Sequence, residues 1–284
     1  MSIQTLKTKD HDLGTHTHSF DFFTQNHPPS SKAPPPSLPH KKGKTHGHDI
    51  SVSQRARVAV KEAWALAKLC YFYPQSKPQP VIEKDFSKKN DLHVVFIHGY
   101  LHNNSGWEFH REKLEESMKA HTYAPNLGTP FQSIAEKAAK VDSLVHEIFE
   151  KTGSRNIVLV GHSLGGVVAS HASTYLNQDK LIQKVITLAS PLRGTPKYHY
   201  AFGECIEEIN PDCISVKNLV SRIEKNKSVG YYNVGCIYDL MVPYEYALVG
   251  SNSKKHMVTD NEGHLSTLFS DDVAEFIAKS IRGS

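Results

Sequence analysis

Nothing in this sequence crosses a bilayer by composition: no run of apolar residues approaches the roughly 20 needed for a spanning helix, and Met1-Ser2-Ile3-Gln4-Thr5-Leu6-Lys7 lacks the apolar core of a secretory signal. The expectation is a soluble, cytoplasmic protein, with export by a route lacking a cleaved signal left open. Only four cysteines occur, Cys70, Cys205, Cys213 and Cys236, and none falls in a C-x-x-C pair. That spacing argues against a zinc knuckle or a redox dithiol. Free thiols are the expectation, although Cys205 and Cys213 are the pair that an oxidising compartment would join. A surplus of positive charge is nearly missing too, since the net charge of +4 comes from residues spread along the whole chain. Without a basic face interleaved with aromatics, nucleic-acid binding has no support.

The first fifty residues also lack a hydrophobic period of either kind. Met1 to Ile50 is rich in His, Pro, Lys, Ser and Thr and contains Pro34-Pro35-Pro36, a composition that cannot offset its ordering entropy, so a disordered tail is expected. His16, His18, His46 and His48 have no thiol companion in the tail, whose first following cysteine is Cys70, which disfavours a metal site. From Val52 to Tyr73, Val52, Ala56, Ala59, Ala63, Leu66 and Cys70 recur at spacings of three and four, and Pro74 follows. This predicts an amphipathic helix with that apolar stripe packed on a domain edge. Contact of its basic face with an anionic lipid surface is the second reading. The resulting partition is a tail over 1–50, a helix and linker over 51–90, and one folded domain over 91–284.

Within 91–284 short apolar runs alternate with helical periods. Strands are predicted at 93–98, 122–126, 156–160, 184–189, 231–238 and 254–259, and helices at 107–120, over Phe131 to Ile148, at 167–176 and at 272–281. Alternation at these lengths implies an α/β fold with a mostly parallel central sheet and helices on both faces. The most informative point in it is Ser163. The β-branched run Ile157-Val158-Leu159-Val160 ends in Gly161-His162-Ser163-Leu164-Gly165, and an apolar helix follows at once. Strand, G-x-S-x-G and helix make a nucleophile elbow, where any side chain at 161 or 165 would collide with the neighbouring elements.

A serine hydroxyl needs a base to take its proton, and that base needs an acid to fix its tautomer, so partners are expected downstream in the order acid, then histidine. Asp239 follows the strand at 231–238, and His264 sits in the loop Asp260-Asn261-Glu262-Gly263-His264-Leu265 after the last strand. Both lie at carboxyl ends of strands, where open parallel sheets collect functional groups. His256 and His199 are weaker bases by position, and Asp212 and Asp260 weaker acids. The oxyanion donors expected are the backbone N–H of Leu164, at a helix start, and that of Tyr100 after Gly99, with Leu101 the other candidate for the second.

Five ordered segments carry a resemblance: Phe96-Ile97-His98-Gly99-Tyr100; Gly161-His162-Ser163-Leu164-Gly165-Gly166; Ser190-Pro191-Leu192-Arg193-Gly194-Thr195-Pro196; Tyr238-Asp239-Leu240-Met241-Val242-Pro243; and Gly263-His264-Leu265. Together they resemble the α/β-hydrolase superfamily, and within it compact bacterial lipases and esterases. The resemblance spans about Asp91 to Ser284. It implies the α/β-hydrolase fold with a small cap or none, Ser163, Asp239 and His264 as triad, Tyr100 and Leu164 as oxyanion hole, no metal and no organic cofactor. The activity implied is hydrolysis of carboxylic esters, on an ester or lipid substrate, with an acyltransferase or thioesterase using the same triad as the alternative. The only lid candidate read from the sequence is Lys197 to Val229. The tail and the 52–73 helix have no counterpart in those lipases, and oligomeric state is left open.

Overall fold

The computed structural model describes residues 52–78, 80–86, 89–250 and 255–283, and the expected tail and its histidines lie outside them. Residues 49–284 form one compact unit. Its centre is a six-stranded sheet, β1 (His93–Ile97), β2 (His121–Tyr123), β3 (Ile157–His162), β4 (Ile182–Leu188), β5 (Gly230–Cys236) and β6 (His256–Thr259), ordered 2-1-3-4-5-6 with every pairing parallel. Period-two alternation sends Val95, Ile97, Leu159 and Val185 to one apolar cluster. Val94, Phe96, Val158, Val160, Ile186 and Leu188 go to another on the opposite face. Buried on both sides, the central strands read as continuous apolar runs.

The first cluster is covered by α3 (Ile134–Thr152), α4 (Leu164–His171) and α6 (Ile214–Lys225), the second by α2 (Glu108–Met118) and α8 (Asp271–Arg282). Local chemistry sets the helix ends. Ser133 and Glu136 form a capping box at the start of α3, satisfying two orphan N–H groups, and Ser270 caps α8 with Asp271 and Asp272 in its first turn. Two short helices, α5 (Glu204–Glu207) and α7 (Tyr244–Ala247), lie in the connections after β4 and β5.

Three sequence expectations shift. The helix after the elbow begins at Leu164 rather than Val167 and passes into a π turn over Ala172–Leu176. Phe131, expected on the buried face of α3, precedes its cap and is exposed. The N-terminal helix α1 (Val52–Phe72) forms as predicted, but its buried residues are Val58, Ala65 and Leu69, whereas Val52, Leu66 and Cys70 are exposed. The inward face is rotated because it seats polar side chains against a loop as well as apolar ones against the core. Among the described residues, no helix is long and apolar enough to cross a membrane, and the four cysteines are free.

Candidate active site

The strand order reverses direction at β1 and β3, and at such a switch point the carboxyl ends of neighbouring strands open a crevice. Ser163 stands there, at the turn from β3 into α4, with φ 53° and ψ −127°, a conformation that a non-glycine residue holds only under constraint from its surroundings. The constraint is visible in the flanking glycines. A Cβ on Gly165 would run into the backbone carbonyls of Ile97 and His98, and one on Gly161 into the backbone of Gly165 and Gly166. The elbow therefore packs backbone against backbone.

Asp239 lies past the end of β5 and His264 past β6, and the fold brings both to Ser163. His264 Nδ1 is 2.8 Å from Asp239 Oδ2, and His264 Nε2 is 3.0 Å from Ser163 Oγ. A carboxylate can only accept, so Nδ1–H donates to Asp239 and Nε2 is left to accept from the serine hydroxyl. Asp239 is buried, and its Oδ1 accepts the N–H groups of Met241 and Val242 at 2.8 Å each. Burial alone would lower the pKa of His264. The charge and hydrogen bond of Asp239, joined by the charge of Glu62, outweigh it and hold the imidazole above its ordinary value.

The rivals are occupied elsewhere: His256 bonds the carbonyl of Val249, and Asp260 accepts from Gln54. His162 was not singled out from the sequence, yet its Nε2–H donates to the carbonyl of His264 at 2.9 Å. Burial, then the neighbouring His264, lowers its pKa well below the usual range, so it stays neutral. On the other side, His98 Nδ1–H donates to the carbonyl of Gly99 at 2.9 Å while its Nε2 accepts from Leu127 N–H at 3.0 Å. Burial lowers its pKa to about 4, which keeps the acceptor nitrogen unprotonated. A trans peptide directs its N–H opposite its carbonyl, so anchoring the Gly99 carbonyl aims the Tyr100 N–H the other way. Gly99 does not need a left-handed backbone for this; a Cβ there would press on Ser163 and His162.

Ser163, His264, Asp239, Tyr100, Leu101 and Leu164 line one cleft of about 1270 Å³. Tyr198, Ala201, Ile206 and Ile209 from the 197–229 segment form part of its wall, and Tyr100 Oη donates to the carbonyl of Phe202 at 2.9 Å. Another wall was not anticipated: Val58, Ala59, Glu62, Leu66 and Leu69 of α1 face the same cleft. The only sequence signal for it was the helical period, which does not say where a helix docks.

Residues 94–212 match the family described as "Alpha/beta hydrolase family", and the parallel sheet with its elbow has the α/β-hydrolase fold. Lipases and esterases are among the proteins that it is similar to. Over 106 residues it is 29% identical to pimeloyl-[acyl-carrier protein] methyl ester esterase of Vibrio cholerae serotype O1, a match that covers 37% of this chain and 38% of the relative, so the chain spans well under half of that protein. In fold it is similar to lipase B of Aspergillus fumigatus, at a TM-score of 0.55 and 14% identity, covering 67% of this chain and 52% of that one. Est1E of Butyrivibrio proteoclasticus matches at a TM-score of 0.51 and 16% identity, covering 68% and 90%.

Proposed function

We propose that the protein is a serine hydrolase of carboxylic esters, a lipase or carboxylesterase, acting through an acyl-enzyme. The observation that carries this reading is the unbroken hydrogen-bond chain from Asp239 through His264 to Ser163, opening on a cleft walled mostly by apolar side chains. His264 Nε2 takes the Ser163 proton as Oγ attacks the ester carbonyl carbon, and Asp239 stabilises the imidazolium that forms. The carbonyl oxygen becomes an oxyanion received by the N–H groups of Leu164 and Tyr100. Leu164 N–H is the first of α4 and has no acceptor within its own helix. Collapse expels the alcohol, which leaves with the proton from His264, and the acyl group stays on Ser163. Water then gives a proton to His264 and attacks the acyl carbon; release of the acid returns that proton to Oγ.

The relative in Vibrio cholerae is named for a methyl ester, in keeping with ester chemistry at this site. Leu66, Leu101, Leu240 and Met241 line the cleft yet remain exposed, which suits an acyl chain entering from an apolar phase and a peripheral contact with lipid. The test is hydrolysis of p-nitrophenyl esters of increasing chain length, wild type beside Ser163→Ala. Each methylene buried adds about 0.8 kcal/mol, so kcat/KM should rise about fourfold per carbon until the cleft is filled, and Ser163→Ala should abolish turnover. A series flat in chain length refutes the acyl role of the cleft, and turnover retained in the alanine variant refutes the nucleophile.

A further inference from the structure

The loop that carries His264 is gripped by a helix lying outside the α/β-hydrolase match. Glu62, on α1, accepts the N–H of Leu265 at 3.0 Å on both carboxylate oxygens and the N–H of Ser266 at 2.7 Å on Oε1. Two successive backbone donors directly after His264 thus converge on one carboxylate. Gly263, directly before it, leaves the room, because a Cβ there would stand 2.6 Å from Glu62 Cδ. The same face of α1 holds the rest of the loop: Gln54 Nε2 donates to Asp260 Oδ2 at 2.6 Å, and Lys61 Nζ to Glu262 Oε1 at 2.7 Å and to the carbonyl of Asn261 at 2.9 Å. Residues 54, 58, 61, 62, 65 and 69 fall on one helix stripe, so the polar clamps and the buried Val58, Ala65 and Leu69 dock together.

We propose that Glu62 is a positioning residue for His264, holding its loop from α1 so that Nε2 stays within reach of Ser163 Oγ. The proposal rests on the hydrolase reading and adds to it a residue, and a helix, that lie outside the matched residues 94–212. Without the carboxylate, the two N–H groups at 265 and 266 lose their acceptor, while Gln54 and Lys61 still hold residues 260–262 and three contacts hold 263 and 264 from below. Those are His162 Nε2 and Thr267 Oγ1 on the His264 carbonyl, and Ser266 Oγ on Gly263 N–H. Misplacing a reacting group by about 1 Å costs on the order of 100-fold in rate.

Charge gives a second readout. The titratable groups acting on His264 are Asp239 from the loop after β5, Glu62 from α1 and neutral His162 at the end of β3, while Glu262 in its own loop is paired with Lys61. Glu62→Gln leaves Oε1 to accept both N–H groups but removes the charge, so the imidazole is protonated less readily. Since His264 works as a base only when neutral, the acid limb of kcat/KM should move to lower pH in this variant, with kcat close to wild type. Glu62→Ala should lower kcat by about 10- to 100-fold with KM changed less, and should slow inactivation by a p-nitrophenyl alkylphosphonate equally.

Rescue of kcat by glutamine together with the shifted acid limb supports positioning. Kinetics of Glu62→Ala within twofold of wild type, or a loss confined to KM, overturns it. Should Glu62→Ala fail to fold, the glutamine variant decides alone, an unmoved acid limb being the overturning result. If the wild type neither turns over esters nor takes the phosphonate on Ser163, it is the hydrolase reading that has failed, whatever Glu62 does.

Discussion

Replacing Asp239 with asparagine changes one atom, and the surroundings of that atom decide how it acts. Oδ1 of Asp239 accepts two backbone N–H groups, from Met241 and Val242, while Oδ2 faces His264 Nδ1. Asparagine has one acceptor oxygen, and turning its NH₂ toward two N–H donors would set donors against donors. The amide oxygen therefore keeps the Oδ1 position and the NH₂ faces His264. An N–H there can only donate, so Nδ1 must accept and the ring proton moves to Nε2, the atom that has to receive the serine proton. Mispairing of this kind in a serine–histidine–aspartate site costs about 10⁴ in kcat. We expect kcat/KM of Asp239→Asn to fall by 10³ to 10⁴, about 4 to 5.5 kcal/mol of transition-state stabilisation, with a melting temperature near wild type because shape and both loop bonds persist. The assay is p-nitrophenyl ester hydrolysis at neutral pH beside ¹⁵N spectra of the labelled imidazoles. Activity within tenfold of wild type, or a His264 that keeps its proton on Nδ1, would refute the reasoning.

Other consequences are structural. Gly165→Ala places a Cβ against the carbonyls of Ile97 and His98, backbone atoms that can yield only if β1 shifts. It should cost about 3 kcal/mol or more, read as a lower urea midpoint, and an unchanged midpoint would contradict the packing described for the elbow. Glu208 lies in the 197–229 segment and accepts the Ile134 N–H at the start of α3, and burial pushes its carboxyl up to about 7. A group held protonated in the folded state stabilises fully below its unfolded pKa near 4.5 and loses that contribution as pH rises through about 7. Glu208→Gln should remove this dependence, so urea midpoints of wild type should decline relative to the variant between those two values; parallel curves would show that the carboxyl titrates normally.

Features that depend on neighbours along the chain were legible without the fold. Apolar runs bounded by turns marked every strand of the sheet, and the G-x-S-x-G at the end of one of them marked the elbow, because hydrophobic period and glycine spacing are local properties. Asp239 and His264 were legible because parallel strands must end at one side of the sheet, so residues just past strand ends are neighbours in space though 25 apart in sequence. Element ends were less legible: the helix at Leu164 starts through two glycines that local propensity disfavours, and packing against β1 overrides it. The face and the place of α1 were set by long-range packing. Its apolar spacing fits more than one stripe, and the choice was made by partners some 200 residues away, where Gln54, Lys61 and Glu62 meet the His264 loop. A charged side chain in a helix reads as a solvated face until the backbone donors it satisfies are brought to it, and that closure is a property of the folded chain alone.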